Sequence, residues 1–215
     1  AGSQASWNAR DQHMTTTLLR IQAHLKNPKI VVWAHNSHVG DSTATRRGGV
    51  NFEKNETWNL GQMVRATFGP ENVWIVGQYT YNGEVMAAQH WGGAHKARTL
   101  KNALPESYEA ILHAVQRQLG TGDPFYFACG AFADPRAPGA ARVRAAVEAK
   151  HPAALALVAA LQGAARLQRW VGVSYKADTE RQSHYGELSL SMCYDQIVFC
   201  DRTAALGPIQ PKAVP

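Results

Sequence analysis

Two kinds of apolar pattern alternate along this chain. Four short runs are nearly continuous: 30–34, the stretch NVWIVGQY at 72–79, PFYFAC at 124–129 and QIVFCD at 196–201. Runs of that length, bounded by turn residues, predict strands buried on both faces, the first over 30–35. Between them apolar residues recur every three or four positions. Met14, Leu18, Ile21 and Leu25 predict a helix over 8–26 that Pro28 stops, and Ile111, Val115 and Leu119 predict one over 106–119 that Gly120 closes. A helix over 58–68 ends at Gly69-Pro70, and two Ala-rich helices, 140–149 and 152–168, are split at Pro152. Residues 40–57 read as a loop, 80–104 as a long connection, and 176–192 as a polar loop with a helical piece.

Strand and helix signals in alternation predict an α/β fold with a mainly parallel sheet and helices on both faces. No repeat, low-complexity tract or linker divides the chain. One domain is expected over 1–208, followed by a loose tail, 209–215, within the proline-rich GPIQPKAVP.

Composition narrows the class. Of 215 residues 45% are hydrophobic and 18% charged, with six Trp, which supports a real core and argues against disorder. The formal charge is +6, but apart from Arg46-Arg47 and the loose series Arg136, Arg142, Arg144 the basic residues are scattered. That is not a nucleic-acid footprint, so no nucleic-acid partner is expected. No run is long enough to span a membrane and no signal peptide is visible, so no membrane partner is expected. Three cysteines, Cys129, Cys193 and Cys200, with no CxxC, point to a reducing cytoplasm rather than a disulfide framework. Cys129 and Cys200 read as small buried strand-end residues.

The chemistry gathers in KIVVWAHNSHVGD, 29–41. Ligands of open α/β sheets collect beyond the carboxyl ends of strands, and there His35, Asn36, His38 and Asp41 fall within seven positions. A neutral imidazole takes a proton from water near pH 7, so His35 and His38 are candidate catalytic residues, and Asp41 or a carboxylate from elsewhere would orient a ring. His-x-x-His plus a carboxylate also supplies three zinc-type ligands. However, the pair is spaced three apart after a strand rather than four apart on a helix, so no metal or other cofactor is expected. There is no Gly-x-Ser-x-Gly elbow and no phosphate-binding Gly-rich loop, which favours direct attack by an activated water. His184 reads as a substrate contact or a surface-loop residue. Trp91, beside Gly92-Gly93, reads as a wall for a large ligand or as core. Asn59 is a cap candidate, and Gln62 a cap or site residue.

WNARDQHM (7–14), VVWAHNSHVGD (31–41), WNLGQMV (58–64), WGGAHKARTL (91–100), PESYEAILHAV (105–115), ERQSHYGELSL (180–190) and YDQIVFCDRTAALGP (194–208) follow one another as in the erythromycin esterase family, which the chain resembles over nearly its whole length. The resemblance is to that family's second half, and it implies an incomplete portion of a larger α/β fold. It implies hydrolysis of a macrolide lactone or related ester, hence antibiotic resistance, with a small-molecule ester or lactone as substrate. His35 and His38 would share the work, one activating water and the other stabilising or protonating the alkoxide. It also implies a missing amino-terminal half, carrying a Gly-Glu motif and a further His. The alternatives are a catalytically incomplete ligand-binding module and a metal-dependent hydrolase of another ester or amide.

Overall fold

A computed structural model describes residues 4–48, 57–120, 122, 124–129, 145, 148–150, 152–162 and 164–207. Its long helices lie where the sequence places them, although α1 buries Asn8, Asp11 and Thr15 rather than its apolar stripe. Helix α1 is Gln4–His24, α3 Leu60–Phe68, α4 Tyr108–Leu119 and α5 Pro152–Gln162. Strands β2 Val76–Ala87, β4 Phe125–Ala128 and β7 Gln196–Thr203 occupy three of the four continuous runs. Shorter elements complete the order: the single turn α2 Asn36–Val39, β1 Thr45–Gly48, β3 Lys96–Leu100, β5 Arg166–Arg169, α6 Glu180–His184, β6 Tyr185–Leu188 and α7 Leu190–Cys193. The expected helix over 140–149 and the tail at 209–215 lie largely or wholly outside the described residues.

The α/β class holds, and the pairing within it is mixed. A four-stranded sheet has the order β3-β2-β7-β4, and a three-stranded sheet the order β1-β6-β5. Only β2 and β7 pair in parallel among the described strands, from Val76↔Gln196 to Gly83↔Thr203. β3 pairs antiparallel with β2, Gly83↔Leu100 to Ala87↔Lys96, because the chain returns without the long crossover that a parallel neighbour needs. The long connection expected over 80–104 is therefore a hairpin. Its polar residues Thr80 to Glu84 hide the strand. Gly83 is essential to it: φ is 117° and a Cβ there would meet the Thr203 carbonyl oxygen at 2.1 Å.

One face of the larger sheet is core. Tyr79, Ile197, Phe199, Phe125 and Phe127 pack with Ile111, Leu112 and Val115 of α4. The alternate residues face the other way, and several are exposed, Tyr126 by 68% and Val76 by 37%. The two sheets are joined by polar pins. Tyr79 Oη donates to Gln168 Oε1 at 2.5 Å, and Gln168 Nε2 donates to Tyr194 Oη at 3.1 Å. Arg169 donates to the carbonyls of Thr80 and Tyr81.

The run at 30–35 corrects the reading of its pattern. It joins no ladder among the described strands, and Val31 and Trp33 are 92% and 86% exposed. Apolar composition specifies a strand only where a neighbour offers backbone partners, and no described strand pairs with it.

Candidate active site

Residues 35–40 form a tight turn held from three sides. His35 caps α2, its Nδ1 accepting from Ser37 N–H at 3.2 Å. Asn36 clamps the turn to β2: Nδ2 donates to the Gln78 carbonyl at 2.7 Å, and Oδ1 accepts from Gln78 N–H at 3.0 Å. Asn59 is indeed a cap, accepting from Gln62 N–H at 3.0 Å, and its Nδ2 also donates to the carbonyls of Ser37 and Gly40. Gly61 lets α3 approach, since a Cβ there would stand 2.0 Å from the Val39 carbonyl oxygen.

The two histidines are differently placed. His35 is bonded at both nitrogens: Nδ1 contacts Ser37 Oγ at 2.8 Å, and Nε2 donates to the Val171 carbonyl at 3.1 Å. With Nδ1 accepting from a backbone N–H, the proton sits on Nε2. Burial lowers this ring's pKa, and the nearby His38 adds to the shift. His38 Nδ1 lies 2.9 and 3.0 Å from the two carboxylate oxygens of Asp11 and donates to them. Its ring stacks on Trp7 with centroids 4.6 Å apart and 2° between planes. Nε2 then carries the lone pair, with Arg10 Nη2 at 3.5 Å.

Asp11 is the orienting carboxylate, and Asp41 is not. Asp11 is fully buried on the face of α1 that also carries Asn8 and Thr15, and it accepts from Leu60 N–H at 3.1 Å. Buried polar residues at positions 8, 11 and 15 follow a helical period, and that polar stripe within WNARDQHM was the available signal. Asp41 instead caps the 3-10 turn Ser42–Ala44 and lies 3.4 Å from Arg65.

The other candidates are dispersed. Gln62 Oε1 accepts from Ser42 Oγ at 2.5 Å, bracing the loop after the turn. His184 Nδ1 donates to the Trp170 carbonyl and Nε2 accepts from Lys176 N–H, so it clips the segment 170–176 rather than lying loose at the surface. Burial lowers its pKa. Trp91 is 72% exposed in the turn between β2 and β3, away from the histidine turn and outside the core.

A cavity of about 520 Å³ opens beside the turn. His35 and Asn36 line it, with Gln78, Glu109 and Arg169, and Val85, Met86, Leu100 and Val171 give it apolar walls. His38 is not part of this lining. Glu109 lies within PESYEAILHAV and Arg169 in no quoted motif, and only the fold shows that they share a cavity with His35. Cys193 and Cys129 are buried, which pushes both thiols up to about 12, so neither offers a thiolate nucleophile. Among the described residues no three His, Cys, Asp or Glu converge as metal ligands, and no helix is long and apolar enough to cross a membrane.

Comparison with known proteins shows the family and the fold. The family described as Erythromycin esterase matches residues 1–203. A succinoglycan biosynthesis protein superposes with a TM-score of 0.65 at 16% identity, over 95% of this chain and 40% of its own. A Bacillus cereus protein gives 0.63 at 18%, over 94% of this chain and 40% of its own. An erythromycin esterase mutant in its open conformation gives 0.49 at 16%, over 89% of this chain and 36% of its own. The chain thus spans about 40% of the length of the solved structures it matches.

Proposed function

We propose, from the premise that this chain belongs to the erythromycin esterase family, that it carries the histidine portion of an ester hydrolase's active site. The observation that carries this reading is the Asp11–His38 pair. A buried carboxylate holding Nδ1–H fixes the tautomer, leaves the Nε2 lone pair to take a proton from water, and faces the imidazolium so formed. The water oxygen then bonds to the ester carbonyl carbon. His35 carries a proton on Nε2, given to Val171 in this structure, and it is the donor on which the developing oxyanion draws. The intermediate collapses with cleavage of the carbon–alkoxide bond.

The substrate class is a lactone or related ester. A macrolide fits the family name, and its opening would confer antibiotic resistance. Apolar walls around a few polar groups support a large, weakly polar ligand. Buried Cys129 and Cys193 held as thiols support a reducing compartment such as the cytoplasm.

A second reading is favoured by one observation. Residues 30–33 are exposed and join no described ladder, just before the histidine turn. On that reading this chain binds ligand, and a polypeptide corresponding to the rest of its longer relatives packs on this apolar run and completes the site.

The test incubates the chain with erythromycin and follows, by mass spectrometry, the gain of one water, with and without EDTA. Turnover that is indifferent to EDTA and lost in His38→Ala supports the first reading. Binding without turnover moves the case to the second, and loss on chelation moves it to a metal-dependent hydrolase.

A further inference from the structure

Glu109 is a buried charge that the scheme above leaves unused. It lies in the first turn of α4, behind the N-cap Ser107, is 1% exposed, and lines the same cavity as His35. Its Oε1 accepts from Arg169 N–H at 2.8 Å. Its Oε2 is buried and has no hydrogen-bond partner among the described residues. A native fold seldom leaves a carboxylate oxygen in that state, because the group loses water and gains nothing.

The nearest cation does not fill the gap. The Arg169 guanidinium is committed to the carbonyls of Lys101, Thr80 and Tyr81 and to Glu180. Of the other groups around the carboxyl, Tyr79 on β2 and Tyr185 on β6 are buried phenols whose pKa burial raises, so both stay neutral. Burial outweighs the help of Arg169, of the Glu109 backbone N–H and of the Ser107 hydroxyl, and raises the Glu109 carboxyl to about 7. The cavity is therefore lined by a histidine whose Nε2 proton is given to Val171 and by an acid that keeps one carboxyl oxygen unpaired and shut off from water.

We propose that Glu109 is the acid of this cavity, giving its carboxyl proton to the alkoxide oxygen of an ester or lactone held beside His35. The assignment rests on the hydrolase reading. In the step, the carbon–alkoxide bond breaks, the electron pair goes to oxygen, and the Glu109 proton bonds to it, leaving an alcohol and a carboxylate. Arg169 N–H and the Arg169 charge stabilise that carboxylate. The proton that His38 took from water returns to Glu109 through solvent, so the cycle closes without a net proton.

The test compares ethyl butyrate with 4-nitrophenyl butyrate in wild type, Glu109→Gln and Glu109→Asp. An ethoxide leaving group needs an acid, and a nitrophenolate does not. Glu109→Gln should lose about a hundredfold in kcat on the ethyl ester and little on the nitrophenyl ester. Glu109→Asp should recover part of the loss. The retained nitrophenyl activity shows that the variant is folded. Equal losses on both esters, or no loss on either, overturn the proposal. If wild type hydrolyses neither ester, the hydrolase reading fails separately, and infrared difference spectra against Glu109→Gln decide Glu109. A protonated-carboxyl band that persists at about pH 6 and shifts when ε-caprolactone is added supports the cavity acid. A band gone by about pH 5.5, or unmoved by the lactone, overturns it.

Discussion

Asp11 and His38, 27 residues apart in sequence, meet through a 2.9 Å hydrogen bond from the imidazole Nδ1 to a carboxylate with no solvent exposure. α1 brings the carboxylate, α2 the ring, and the Leu60 N–H at the start of α3 holds the second oxygen. The pair is thus a meeting point of three helices.

Removing the charge while keeping the shape tests the pair. Asp11→Asn should present an amide to His38, favour the other tautomer and cut lactone opening by about a hundredfold or more. His38→Ala should lose as much, and the double variant no more than either single, since residues acting as a unit are not additive. His24→Ala, at the exposed end of α1, should be neutral. Mass gain of one water is the readout, and additive losses would refute a shared role.

His35 should matter twice. Its bonds to Ser37 and Val171 tie the turn to the segment after β5. His35→Ala should therefore lower stability by about 1–2 kcal/mol in urea unfolding, as well as cutting turnover about a hundredfold. Unchanged unfolding would show that the ring is not a structural tie.

Stability should depend on pH in two opposing ways. Burial lowers His35 and His184, so the unfolded chain binds protons more readily, and stability should fall as pH drops through about 6.5. Glu109 is raised from 4.5 to about 7, so the folded chain holds its proton longer. Its contribution is present below about 4.5 and lost as pH rises through about 7, for a total of roughly 3 kcal/mol. Glu109→Gln should therefore gain on wild type by up to that amount between pH 5 and pH 8. Parallel melting curves of the two proteins across this range would contradict the shift.

The exposed run should tolerate polar residues. Val31→Asp and Trp33→Lys remove side chains that are 92% and 86% exposed, and each should change stability by less than about 0.5 kcal/mol. Both should reduce self-association in analytical ultracentrifugation, since exposed apolar surface favours it. A loss of several kcal/mol would mean that the run is already packed.

The reading of the sequence was secure where one local rule sufficed. Helix α4 follows its apolar spacing, α3 ends at its Gly69-Pro70 signal, and α1 lies where its spacing placed it although it buries Asn8, Asp11 and Thr15 while Ile21 stays exposed; Asn59, Ser107 and Gly120 sit at helix ends as their chemistry dictates. Three continuous runs became β2, β4 and β7, and the His-x-x-His turn follows the fourth. What failed was whatever needed a partner. Residues 30–35 carry every internal mark of a strand yet lie unpaired, because backbone hydrogen bonds come from a neighbour and not from composition. Strand β2 continues through polar Thr80 to Glu84 because β3 and β7 flank it. The sequence determined by itself the α/β class, the helix ends and the histidine turn, since each depends on residues close in the chain. Only the tertiary structure decided that Asp11 rather than Asp41 orients His38, that His184 is a clip, and that Glu109 faces His35's cavity. Those assignments depend on which distant groups burial forces together, and a linear spacing does not encode that.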